Sequence, residues 1–368
     1  MQEIKVHRPV GVLAELTHRC PLSCAYCSNP LELDPRSAEL DTETWKRVFS
    51  ESAEMGVIHV HLSGGEPAAR RDLVELVAHA RAVGLYSNLI TSGIGLTDDK
   101  LDALAQAGLD HVQLSIQDVD PAAADRAGGY QGGHARKLVA AKKIVELGLP
   151  LTVNMVIHRA NVLRAGDIVR QAIALGARRV EVAHTQYYGW AKLNHAVLLP
   201  TREETEAAVA EVEGLRKELE GVIVIDHVIP DFHARFPKAC MGGWAKRTFN
   251  VTPRGLVLPC HAAQTIPHLK FWTVHEQSLH DIWFKSKAFH AYRGTEWMKE
   301  PCASCDRKEI DYGGCRCQAL ALAGDPDAAD PVCHRSPDHD KIAEIVALDS
   351  AAPSAEPVMR GYTRPADA

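Results

Sequence analysis

A chain of 368 residues, 46% hydrophobic and 24% charged, has the composition of a soluble globular protein large enough for two domains. Its net charge of −6, from 41 basic and 47 acidic residues, gives no electrostatic case for nucleic acid as the main partner. Apolar runs stay below about 18 residues, which predicts no transmembrane helix, and the first residues, MQEIKVHRPVG, lack the apolar core of a secretory signal. The expected compartment is the cytoplasm, where 10 cysteines point to metal or catalysis rather than to disulfides.

From residue 11 to about 220, short β-rich apolar runs alternate with amphipathic helical stretches. The runs are Val12–Leu16, Val57–Leu62, Leu85–Thr91, His111–Ile116, Leu151–Ile157 and Val180–Ala183. The helical stretches lie near 42–55, 70–83, 98–107, 134–147, 163–175 and 202–219. Gly56, Gly84, Gly108, Gly148 and Gly176 stand where a helix ends before the next strand. Six such units predict parallel strands joined by right-handed crossovers, in an open barrel or a doubly wound sheet. Ligand sites in such folds lie at the carboxyl ends of the strands.

The first strand leads into Thr17–Pro30, THRCPLSCAYCSNP, where Cys20, Cys24 and Cys27 are spaced Cys-x3-Cys-x2-Cys. Three thiolates cannot fill the four corners of a zinc site. They can hold three irons of a four-iron, four-sulfur cube and leave the fourth open to a substrate or cofactor. The bland alternative is three reduced structural thiols that lie close together. The second strand ends in Ser63-Gly64-Gly65-Glu66-Pro67, where paired glycines let backbone approach a ligand. Alone, that triplet also reads as an ordinary turn. Thr91-Ser92-Gly93, Ser115, Gln117 and Asn154 add polar groups at later strand ends, with satisfaction by a neighbouring loop as the competing reading. His184, Gln186, Tyr187 and Tyr188 follow the sixth strand and could line a substrate or simply pack.

Composition changes after about residue 222. Cys240, Cys260, Cys302, Cys305, Cys315, Cys317 and Cys333 all lie beyond it. Arg247–Val251 and Leu256–Leu258 predict a hairpin turning at Thr252-Pro253-Arg254-Gly255. At four ligands per cluster, this set falls one cysteine short of two sites. One or two structural zinc sites are the competing reading. The tail after Asp349-Ser350 is rich in Ala and Pro and predicts disorder.

The cysteine loop, with Tyr26 just before its last cysteine, resembles the signature of the radical S-adenosylmethionine (SAM) enzymes. In that family the open iron chelates the amino and carboxylate groups of SAM. Gly64-Gly65-Glu66-Pro67 resembles the family's Gly-Gly-Glu-Pro motif, which holds the SAM amino group. Cys240, fourteen residues, Gly255, four residues, Cys260, and then Cys302-x2-Cys305-x5-Asp311-x3-Cys315, resemble the SPASM extension of peptide-modifying members. Asp311 stands where that pattern has cysteine. A carboxylate is a harder ligand than thiolate and should change the potential and be more easily displaced. With the stretch His184–Trp190, these features are similar to the peptide-cyclising radical SAM enzymes of pyrroloquinoline quinone biosynthesis.

The resemblance implies a partial (βα)6 TIM-like barrel over 1–222, a SPASM domain over 223–345 and a loose tail over 346–368. It implies a [4Fe-4S] cluster on Cys20, Cys24 and Cys27, with Tyr26, Gly64, Gly65, Glu66, Ser115, Gln117 and Asn154 around SAM. Two auxiliary clusters, [2Fe-2S] or [4Fe-4S], would take Cys240, Cys260, Cys315 and Cys317, and Cys302, Cys305, Asp311 and Cys333. In such enzymes a 5′-deoxyadenosyl radical takes hydrogen from a Glu side chain of a precursor peptide, and the carbon radical attacks a Tyr ring. A general base is expected near that ring, with His184 and Tyr187 as candidates. A small peptide chaperone and an electron donor such as flavodoxin are the implied partners. The nearest alternative is another SPASM peptide-modifying enzyme, thioether-forming or sulfatase-maturing.

Overall fold

The computed structural model describes residues 6–229, 231–351 and 356–362. Nine strands form one sheet: β1 Gly11–Glu15, β2 His59–Ser63, β3 Tyr86–Thr91, β4 His111–Ser115, β5 Leu151–Ile157, β6 Arg179–His184, β7 Val224–Val228, β8 Thr248–Val251 and β9 Val257–Leu258. Their order is β7-β6-β5-β4-β3-β2-β1-β8-β9, parallel throughout except for the β8–β9 hairpin.

Alternation explains the two faces of the sheet. Val12, Ala14, Val60, Leu62, Val112, Leu114, Val153, Met155, Val180 and Val182 are buried among the crossover helices. Helix Thr42–Glu54 is typical of those crossovers. Asp41 caps it by accepting from Thr44 N at 2.8 Å, and Trp45, Val48, Phe49 and Ser52 form its buried stripe. Burying Trp45 or Phe49 contributes roughly 1.5–3 kcal/mol each. Gly56, Gly84, Gly108, Gly148 and Gly176 all take the left-handed φ that ends a helix.

The other face carries polar side chains, which bond to one another across the strands. His61 pairs with Asn88 (3.1 Å), Asn88 with His111 (2.7 Å), and His111 with Thr152 (2.9 Å). Gln113 and Asn154 both donate to Glu181 at 2.9 Å. This ladder satisfies groups that would otherwise be costly to bury, and it ends at Asn154, on the rim.

Two expectations need correction. The boundary at 222/223 falls just before a seventh parallel strand. β7, VIDHV, is an edge strand half open to solvent, so its apolar signal is weak. The sheet also crosses the boundary at its other end, where β8 pairs with β1 from Gly11↔Thr248 to Ala14↔Val251. The loose tail expected over 346–368 is ordered in part. Residues to 351 complete helix Asp340–Ala351, and 356–362 lie against the barrel, where polar groups outside their own segment bind them. Residues 352–355 and 363–368 lie outside the described residues.

Candidate active site

The chain leaves β1 and crosses the end of β2. Leu16 N donates to Ser63 O (2.9 Å), Gly65 N to Thr17 O (2.6 Å) and Glu66 N to Arg19 O (2.8 Å). These bonds lay the cysteine loop directly on the Gly64-Gly65 turn. Only glycine allows the approach. Gly64 has φ +130°, and a Cβ there would stand 2.2 Å from Thr17 O. Asn29 adds a crosspiece, donating to Gly64 O and accepting from Cys27 Sγ, each at 3.4 Å.

Cys20, Cys24 and Cys27 line a cavity of about 230 Å³ with Tyr26, Gly64, Gly65, Ser115, Gln117 and Asn154. Burial pushes the Cys20 thiol up to about 12, Cys27 up to about 11, and Cys24 upward. A bound metal reverses that preference, because coordination deprotonates a thiol. Three thiols on one wall and a glycine backbone cradle beside them fit a three-cysteine cluster whose open iron takes an amino-acid ligand.

The far wall is fixed by Lys137, which donates to Ser115 O (3.0 Å) and Gln117 Oε1 (2.5 Å). Burial brings Lys137 down to about 8. Tyr26 bonds to Cys24 and Gln117, and its ring stacks on His158 at 5.2 Å. Glu66 stands apart from this set. Its carboxylate accepts from Thr91 Oγ1 (2.7 Å), Ser92 N (2.7 Å), Ser92 Oγ (2.5 Å) and Ala68 N (3.0 Å), and the side chain is 1% exposed. It braces the end of β3 behind the glycines.

Neither candidate base lines this cavity. His184 packs beside His227, ring centroids 5.7 Å apart, and burial lowers it to about 3. Tyr187 packs on Phe232 at 4.9 Å, in a small apolar cluster with Leu198 and Val332. Tyr188, one residue on, faces a second cavity of about 590 Å³, where its hydroxyl bonds to His261 Nε2. Burial raises the Tyr188 phenol well above its usual range, followed by the charges of Cys260, Cys315, Cys27 and Cys317. Tyr188 therefore lies between the first cysteine loop and the C-terminal cysteines. Ser28 and Asn29 line both cavities, and Cys317 lines the second.

The C-terminal cysteines gather in two sets. Cys240 bonds to Cys260 and Cys315, and Cys317 to the same two, closing a ring of four thiols. Cys302, Cys305, Asp311 and Cys333 act on one another electrostatically in a second set. Asp311 accepts from Arg307 Nε and Gly313 N, each at 3.1 Å. Arg335 donates to Cys305 Sγ at 3.0 Å. The buried Arg316 donates to Pro326 O (2.9 Å) and Ala328 O (2.7 Å) and clamps the loop between the sets. Sequence spacing carries no sign of His261 or Glu181, because each acts through contacts distant in the chain, nor of Arg316, whose role is to bond loop carbonyls.

The Radical SAM superfamily model matches residues 14–172, and the model of an iron-sulfur cluster-binding domain, SPASM, matches residues 240–306. The PqqA peptide cyclase of Methylocella silvestris is 67% identical over 368 residues, 99% of each chain. Streptococcus suis SuiB bound to S-adenosylmethionine shares the fold, with TM-score 0.74 and 18% identity over 89% of this chain and 77% of that one. SuiB bound to the precursor peptide SuiA gives TM-score 0.72 and 18% identity over 89% and 76%. With a thiol-lined cavity at the strand ends and a near full-length relative of that kind, the chain belongs to the PqqA peptide cyclase family of radical SAM enzymes.

Proposed function

We propose that the protein joins a Glu and a Tyr side chain of a precursor peptide by a carbon–carbon bond, in pyrroloquinoline quinone biosynthesis. The observation that carries this reading is the pair of adjoining cavities. The smaller holds Cys20, Cys24 and Cys27, and the larger runs from the shared wall, Ser28 and Asn29, to Cys317. Cys20, Cys24 and Cys27 hold the [4Fe-4S] cluster, and the Gly64-Gly65 backbone receives the amino group of SAM. Tyr26, Ser115, Gln117 and Asn154 orient the rest of that cofactor. The larger cavity takes the peptide, with Tyr188 and His261 on its wall.

Cys240, Cys260, Cys315 and Cys317 hold one auxiliary cluster. Cys302, Cys305, Asp311 and Cys333 hold the other. Bound in these places, the groups would supply a radical that takes hydrogen from Glu and an acceptor for the electron lost as the Tyr ring regains aromaticity, with the ring proton passing to a base on the cavity wall. The chain's part is to orient the two side chains and keep water from the radical. The setting is the cytoplasm, with a small chaperone delivering the peptide and a donor such as flavodoxin supplying the electron.

The test is incubation of reconstituted enzyme with SAM, reductant, chaperone and a peptide containing Glu-x3-Tyr. The expected product is two hydrogens lighter and carries a Glu–Tyr bond. Full SAM cleavage with an untouched peptide sinks the assignment.

A further inference from the structure

The segment 356–362 returns to the barrel from the far end of the sequence. Asn194 clasps it at Val358, donating to Val358 O (2.8 Å) and accepting from Val358 N (2.7 Å). The same Asn194 amide donates to Ala25 O in the cysteine loop at 2.9 Å. Two residues on, Arg360 N donates to Ser23 O at 3.2 Å. The strap is thus tied to the loop that carries Cys20, Cys24 and Cys27.

Arg360 points inward from this strap. It is 6% exposed and lines the 230 Å³ cavity. Its Nη2 donates to His18 O and, at 3.4 Å, to Asn29 Oδ1. The guanidinium also bonds to the Cys27 thiol and its charge acts on Cys20 and Cys24, while its Nε has no partner. Among the described residues lining this cavity, Arg360 is the one Arg, Lys, Asp or Glu. A guanidinium stays charged and has donors set in a fork that matches a carboxylate. Leaving one of those donors buried and unmet is costly.

We propose that Arg360, carried on the C-terminal strap, is the cation that receives the carboxylate of SAM in this cavity. The proposal rests on the SAM reading of the cavity and adds to it a residue from outside the barrel. The clasp at Asn194 sets the position of the guanidinium, so the last described segment completes the site.

The test compares SAM with its methyl ester, which lacks the negative charge, as ligands of anaerobically reconstituted enzyme. Equilibrium dialysis gives affinity, and iron analysis with the spectrum of the reduced cluster reports loading. The wild-type chain should bind SAM about ten to a hundred times more tightly than the ester. R360Q should weaken SAM about tenfold or more and leave the ester unchanged, which shrinks the discrimination to the share that the open iron supplies. R360K should recover part of it, and a chain ended at residue 355 should match R360Q. Equal discrimination by the wild type and a fully loaded R360Q overturns the proposal. So does a variant that loses iron but keeps the discrimination, since Arg360 would then serve only the cysteine loop. An R360Q chain that binds SAM like the wild type but has lost the preference for a Glu-containing peptide over its Glu→Gln form assigns the fork to the peptide's carboxylate and overturns the SAM assignment. No SAM binding by the wild type refutes the underlying reading instead.

Discussion

The two cysteine-bearing regions are built in opposite ways. In the first, all three thiols come from residues 20–27, on a loop pinned by backbone hydrogen bonds to the turn after β2. In the second, a ring of four thiols draws on residues 240, 260, 315 and 317. The loop needs only two adjacent strands to take shape. The ring needs the β8–β9 hairpin, the Arg316 clamp and chain separated by more than fifty residues to meet. A site of local contacts forms with its scaffold, whereas one of distant contacts depends on the completed fold.

If the regions are independent, they should be separable by mutation. Cys20→Ala gives the largest expected effect. SAM cleavage falls by more than about a hundredfold, since removing a unit of the cluster's coordination is not additive with the rest. Absorption from the C-terminal clusters persists. Loss of both signals would break the comparison. Gly64→Ala comes next. The added Cβ meets Thr17 O at 2.2 Å, and the left-handed backbone strain alone costs roughly 1–3 kcal/mol. The melting midpoint drops and SAM affinity falls with it, while an unchanged pair of values would show that the turn yields freely.

Asp311→Ala sharpens the other side. It should lower iron content by one cluster and leave the ring of Cys240, Cys260, Cys315 and Cys317 loaded. Loss of every cluster in that variant would show that the ligand sets are divided wrongly. The smallest effect concerns His184, held neutral down to about 3 against an ordinary 6.5. Between these values the unfolded chain binds the extra proton and the native one does not, so stability falls as pH drops from about 6.5 towards 3. His184→Phe should flatten part of that slope in denaturant titrations. An unaltered slope would place the acid sensitivity elsewhere.

Much of this was legible in the sequence. The six strands stand within a residue or two of their apolar runs, because the helix-facing side of most of them is Val, Leu, Ala, Met or Ile. The cysteine loop was legible because its ligands are neighbours in sequence. β7 escaped notice because an edge strand needs no apolar run. Of the two adjacent tyrosines, only Tyr188 lines the larger cavity. Tyr187 reads like Tyr188, and only the packing of the former on Phe232 turns the latter towards the cavity. Glu66 was read as facing the cofactor, but its oxygens are taken by Thr91, Ser92 and Ala68. Arg360 was placed in a tail whose Ala- and Pro-rich composition hides a pinned segment.

The pairing of β8 with β1 fixes a length. Strands in a sheet stand about 4.8 Å apart, and β8 joins the cysteine-rich region to the strand from which the first cysteine loop springs. Arg254, in the turn after β8, bonds to Asp34 beyond that loop, and Leu40 N donates to Pro253 O at 2.7 Å. The two redox regions therefore share one frame. On the proposed reading, an electron crossing between them would meet a gap set by hydrogen-bonded backbone, because one sheet carries both regions.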